Sequence, residues 1–215
     1  MTDYESPAKQ KLRDALARVG TFASPALRKS IEDTVEKIDD TDPATVRDRL
    51  PPNVLGFYRE CAVRARQIVV HAGRARDAGF HIETIIVCHN LIQYALRGLY
   101  VLAWQRSRED SLTEEELRPF YDPADQKATV ANLVPLLDDP GLLNEPQGAL
   151  LLEVNKIRNQ VAHGIVFGEV SPDELESLSE KTQWAALGAL ERMHGWFTNP
   201  QPLKRTFRAR GPIER

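Results

Sequence analysis

The segment HIETIIVCHNLIQYALRGLYVLAWQRSRED, residues 81–110, constrains the fold more than any other part of the chain. At helical spacing it carries two apolar stripes. One is Ile82, Ile85, Ile86, Ile92, Leu96, Leu99 and Ala103; the other is Val87, Leu91, Ala95, Val101 and Leu102. A helix with one apolar stripe needs one neighbour, but a helix apolar on two faces has to be enclosed. The segment is therefore predicted to be the central helix of an all-α bundle. Three polar residues interrupt it, His89, Gln93 and Arg97, at i, i+4 and i+8 along one side. Such a row is either a satisfied polar network at a buried or partly exposed edge, or a wall of a binding site in which these residues touch substrate. No uninterrupted apolar run approaches the ~18 residues of a membrane span.

The rest of the chain supplies the neighbours. Asn53 is expected to cap a long helix that Gly79 ends. Val54, Tyr58, Cys61, Ala62, Ala65, Ile68, Val69, Ala72 and Ala75 form its core stripe. A short helix follows Thr113, and another lies within DQKATVANLVPLLDDP. A further helix starts at Asn144, with Pro146 in its first turn, and stops at Gly164. GIVFGEV is too short and glycine-bounded for a helix and is expected as an extended loop or small hairpin. The last helix opens on Ser171, Pro172 and Glu174, a capping box, and runs to about Phe197. Towards the N-terminus, Ser6-Pro7 and Ser24-Pro25 each open a highly charged helix, and the pair reads as a hairpin. The expected organisation is an N-terminal helical hairpin over 1–50, an antiparallel helical bundle over 51–200 and a basic tail over 201–215. The tail holds Lys204, Arg205, Arg208, Arg210 and Arg215. It is either a solvated extension or a contact for an RNA backbone, with Lys204 and Arg205 as candidate phosphate ligands.

Composition narrows the function classes. The 215 residues are 42% hydrophobic and 27% charged, which is globular rather than disordered. The net charge of -3 means that any polyanion site must be a local patch. The two cysteines, Cys61 and Cys88, make neither a disulfide framework nor a zinc spacing, and are expected as buried thiols. MTDYESPAKQ is not a signal peptide, and a soluble, cytoplasmic protein is expected. There is no phosphate-binding glycine loop, no His-Glu-x-x-His and no G-x-S-x-G turn. No metal and no cofactor is expected.

The stretch LLEVNKIRNQVAHGIVFGEVSPDE, residues 151–174, carries the chemistry. Its apolar front half ends in Arg158, Asn159 and His163, directly before Gly164. Asn159 and His163 are four apart and share a face. Arg158 and His163 are five apart, about 140° of rotation and ~7.5 Å of rise on a straight helix. A helix end at Gly164 and the long arginine side chain make a shared site compatible with that spacing. The negative pole of the helix favours the cationic imidazole. Imidazole and guanidinium are the minimum groups for cleaving RNA without a metal: one moves a proton, the other stabilises charge on phosphorus. A C-capping histidine beside a surface arginine is the simpler reading of the same residues.

The run IRNQVAHG, Ile157–Gly164, resembles the signature of the HEPN superfamily (higher eukaryotes and prokaryotes nucleotide-binding). That signature is an arginine, a polar residue and, a few positions on, a histidine near the end of a late helix. The resemblance implies a bundle of four or five helices, dimerising so that two motifs meet at one cleft. It implies a metal-independent endoribonuclease of a toxin–antitoxin, antiphage-defence, stress or RNA-processing system. Arg158 and His163 would carry catalysis, Asn159 would position one of them or the phosphate, RNA would be the substrate, and an antitoxin or defence-complex partner could bind. A catalytically inactive module holding RNA, a nucleotide or a protein, and a purely structural helical partner, are the alternatives. One branch carries a tyrosine two residues after the histidine, as the target of a modifying antitoxin; this chain has Ile165 there. The hairpin over 1–50 is extra to the minimal bundle.

Overall fold

Capping chemistry sets where each helix begins and ends. The computed structural model describes residues 50–121, 128–139, 141–164 and 170–198. Among them are six α-helices: α1 (Pro52–Asp77), α2 (His81–Arg106), α3 (Glu114–Tyr121), α4 (Val130–Leu136), α5 (Glu145–Gly164) and α6 (Pro172–Thr198). The chain divides into two compact units, Met1–Arg47 and Asp48–Arg215, and every described residue belongs to the second. The expected N-terminal hairpin, the GIVFGEV segment at 165–169, and the tail with Lys204 and Arg205 lie outside the described residues.

The expected cap of α1 is corrected. Pro51 occupies the N-cap position without a side-chain cap, and Pro52 is the first helical residue. Proline suits that place because its missing N–H would be unpaired there anyway. Asn53 instead sits inside the first turn and donates its side-chain amide to the Leu112 carbonyl, tying α1 to the segment before α3. At the far end Gly79 does terminate the helix. Its φ is 73°, its N–H bonds to the Arg76 carbonyl at 2.8 Å, and the Phe80 N–H bonds to the Ala75 carbonyl at 2.8 Å. This is the paired arrangement that a left-handed residue after a helix allows. Three other starts use side chains. Thr113 and Glu116 form a reciprocal box. Asn144 and Gln147 do the same at α5, with bonds of 3.1 and 2.9 Å. Ser171 accepts from the Glu174 N–H at 3.3 Å.

The four long helices alternate in direction, as a few contacts show. α1 and α2 are joined by the three residues 78–80 and pack along their length as a hairpin. The start of α1 meets the end of α6 through Tyr58 and His194, and its end meets the start of α6 through Arg76 and Gln183. Glu153 of α5 pairs with Lys181 of α6, while Arg192 near the end of α6 reaches back to Gly141 and Leu142, before α5. α2 and α6 therefore run the same way, and α1 and α5 run against them. This is the all-α, antiparallel bundle expected from the two-faced segment.

α2 lies at its centre, packed against α1, α4, α5 and α6. From Leu91 to Gln105 every residue except Gln93 and Tyr94 is buried. By length and composition alone α2 could cross a membrane, but 72% of its most apolar window is buried inside the protein. α6 packs tightly on α2 at Gly98, where an added Cβ would lie 2.4 Å from Met193 Sδ. Three of the buried polar groups find partners nearby in the chain. Thr84 and Thr182 donate to the carbonyls of Phe80 and Leu178. Gln105 bonds the main chain of Asp110 and Leu112. Their satisfaction removes the penalty of burying them.

Candidate functional site

The apolar register of α5 decides which of its residues are free for chemistry. Leu151, Val154, Ile157 and Val161 are buried against the bundle. Asn159, Gln160 and Ala162 are exposed, and Arg158 is half-buried at the border. A helix with its core stripe so placed turns its polar residues to an accessible flank. There the Arg158 guanidinium donates from Nη1 to Asn159 Oδ1 at 3.0 Å. The backbone of His163 lies in the last turn of α5, one turn beyond Asn159 and one residue before the terminal Gly164. The side chain of His163 lies outside the described residues, so its position relative to Arg158 remains an expectation of the sequence.

His89 of α2 belongs to the same flank. Its Nε2 bonds Asn155 Oδ1 of α5 at 2.9 Å. The ring is only 7% exposed. Burial holds its pKa below the ordinary histidine value; the bond to Asn155 acts in the opposite sense, and the nearby Arg158 charge lowers it further. The neutral form of His89 is thus favoured, within the field of a guanidinium. Asn155 is the residue that sequence reasoning missed. Its spacing of three and four to Arg158 and Asn159 places it on their flank. Its partner is 66 residues away on another helix, and no local pattern reveals that.

Gln93 and Arg97, the other two members of the row, do a different job. Gln93 Nε2 and Arg97 Nε both donate to the Ala128 carbonyl, at 3.1 and 3.0 Å. Arg97 Nη1 also donates to the Phe120 carbonyl at 3.2 Å. Arg97 is 1% exposed. These two residues hold the chain around Phe120 and Ala128 onto α2. They also border a cavity of about 260 Å³ with Ile68, Asn90 and Tyr94. Arg64 of α1 donates to the Tyr94 hydroxyl at 3.1 Å and pairs with Glu60. The row therefore splits: His89 is joined to the Arg158 flank, while Gln93 and Arg97 serve as anchors beside a separate hollow.

Other chemistry-bearing groups are engaged structurally. Tyr58 and His194 Nδ1 are hydrogen-bonded at 2.9 Å, and Tyr58 stacks on Phe197. Burial raises the Tyr58 hydroxyl above its ordinary value and lowers His194. Cys61 and Cys88 are free, buried thiols, each pushed up to about 12 chiefly by burial. Among the described residues, no group of three or more His, Cys, Asp or Glu side chains could hold a metal ion. No protein-family model matches the chain, and no curated protein or solved structure shows significant similarity to it. What the geometry defines is an accessible guanidinium–amide pair near the end of a helix, backed by a neutral imidazole from the central helix.

Proposed function

We propose that this chain is a metal-independent endoribonuclease of the HEPN kind, acting as a homodimer in a toxin–antitoxin, defence or stress system. One observation carries the reading: Arg158 and Asn159 are hydrogen-bonded on the accessible flank of α5, in the turns that lead into His163. A guanidinium so placed offers its planar fork to the oxygens of an RNA phosphate. His163 takes the proton of the ribose 2′-hydroxyl, and the 2′-oxygen bonds to phosphorus. The bond from phosphorus to the 5′-oxygen breaks, and His163 of the partner subunit gives that oxygen a proton. The products are a 2′,3′-cyclic phosphate and a 5′-hydroxyl. Arg158 stabilises the charge that builds on the five-coordinate phosphorus. Ile165 puts no hydroxyl two residues after His163, which argues against inhibition by a modifying antitoxin at that position.

The test is cleavage of single-stranded RNA by the purified protein in EDTA, beside Arg158→Ala and His163→Ala. Cleavage is expected from the wild type, with each variant slower by about a hundredfold or more, the usual scale for losing a proton-transfer or charge-stabilising group. Equal cleavage by all three overturns the proposal. Tight RNA binding without cleavage would assign the flank to a binding module instead.

A further inference from the structure

The bond between His89 and Asn155 joins the central helix to the flank that holds Arg158, and it joins them through a group that can be charged. Asn155 Oδ1 is an acceptor, so His89 Nε2 carries the proton and Nδ1 is the free base of the ring. Asn155, Arg158 and Asn159 succeed one another at three and one residues on α5. The bond at 2.9 Å therefore adds a polar tie to the register that the buried Leu151, Val154, Ile157 and Val161 give the helix presenting the guanidinium. The ring is buried where a second cation would have little water around it.

We infer that His89 is a positioning residue for Arg158: as a neutral imidazole bonded to Asn155 it holds the guanidinium on the α5 flank, and on protonation at Nδ1 it repels Arg158 from that place. The role rests on the reading of Arg158 as a phosphate-binding group. Acid then weakens the site from behind, without any substrate group titrating. The charges around His89 support a two-body coupling. Arg158 is the charged group that acts on it. α4 contains no titratable residue. On α1, Cys61, Arg64, His71 and Arg76 act on Arg97, Tyr94, Glu83 and Cys88 of α2 in turn. α6 meets α2 at His81, Gly98 and Arg106. Arg97, two turns along α2, is committed to the carbonyls of Ala128 and Phe120.

Two measurements test the inference, and the first does not depend on nuclease activity. The His89 ring is titrated by NMR in the full-length protein and in Arg158→Gln. Its pKa is expected to rise in the variant, because the opposing charge is gone; no change overturns the coupling. The second compares RNA cleavage across pH for the wild type, His89→Ala and His89→Gln. The glutamine keeps a neutral N–H donor at the place of Nε2 but cannot be protonated. His89→Ala is expected to lose about tenfold at neutral pH, the scale of one lost hydrogen bond with a loosened neighbour. His89→Gln is expected to recover most of that loss and to make the acid limb of the profile shallower, leaving only the protonation of His163. A glutamine variant as impaired as the alanine one, with the wild-type acid limb retained, overturns the inference. If the wild type cleaves no RNA while the NMR shift appears, the nuclease reading fails and the coupling of His89 to Arg158 stands.

Discussion

Arg97 shows how much one residue's meaning depends on its surroundings. On the page it is a cation in an apolar helix, equally suited to bind a phosphate or to satisfy the fold. In the bundle it is 1% exposed and donates to two main-chain carbonyls that no water can reach easily. A buried cation is expensive unless its donors are used, and here they are. Arg97→Met keeps much of the volume but leaves the Phe120 carbonyl without this donor. It is expected to lower stability by about 2–4 kcal/mol, read from urea unfolding, because a buried acceptor loses its partner and nothing replaces the charge-assisted bond. A change below about 0.5 kcal/mol, the range of neutral surface substitutions, would show that the anchor is dispensable. His89, two turns earlier, has a different fate because a two-turn offset along α2 brings it opposite Asn155 of α5 rather than the carbonyls of Phe120 and Ala128. The regular i, i+4, i+8 spacing was legible in the sequence. The split of the row between two jobs was not, because it depends on which element lies opposite each position.

At the scale of elements, most helix starts and stops could be read locally. Ser171 with Glu174, Thr113 and Gly79 all act where their chemistry predicts, since capping involves residues three or four apart. Asn53 was misassigned for an instructive reason. The proline pair before it starts the helix two residues earlier, which frees the asparagine side chain for a bond to Leu112, 59 residues on. The contact between α2 and α6 is equally invisible from local pattern. Gly98 sits mid-helix, where glycine is unfavourable by roughly 1 kcal/mol relative to alanine. Gly98→Ala would therefore stabilise an isolated helix. In the bundle its methyl would meet the buried Met193 side chain. The net result is expected to be destabilising by about 1–3 kcal/mol, the scale of overpacking a filled core. Thermal melting checks it, and in a Met193→Ala background the same Gly98→Ala change should cost less, because the space it enters is then open. A raised melting temperature for the single variant would refute the close contact.

For the whole molecule, the buried imidazole of His89 and the half-buried one of His194 predict how stability follows pH. His89 and His194 are both held below the ordinary histidine value, chiefly by burial. The unfolded chain therefore binds more protons than the folded one once the pH drops below about 6.5. Their contribution is complete above that pH and is lost as the pH falls through the lower folded values. The urea midpoint is expected to fall on going from neutral to mildly acid buffer. The double variant His89→Gln, His194→Gln is expected to show a shallower fall. Equal pH dependence of the double variant and the wild type would assign the acid sensitivity to carboxylates instead.

The sequence by itself determined that this chain is helical, that residues 81–106 must be enclosed, and where most helices start and stop, because those properties follow from spacings of three and four along one segment. It also placed Arg158 and Asn159 side by side near the end of one helix, but consecutive helical residues point about 100° apart, so their bond is set by side-chain conformation. Only the tertiary structure decided that His89 reaches Asn155, that Arg97 serves main-chain carbonyls, and that Gly98 admits Met193. Each of these is a meeting of residues far apart in the chain, and its energy depends on burial and on the partner opposite, neither of which is written in local order.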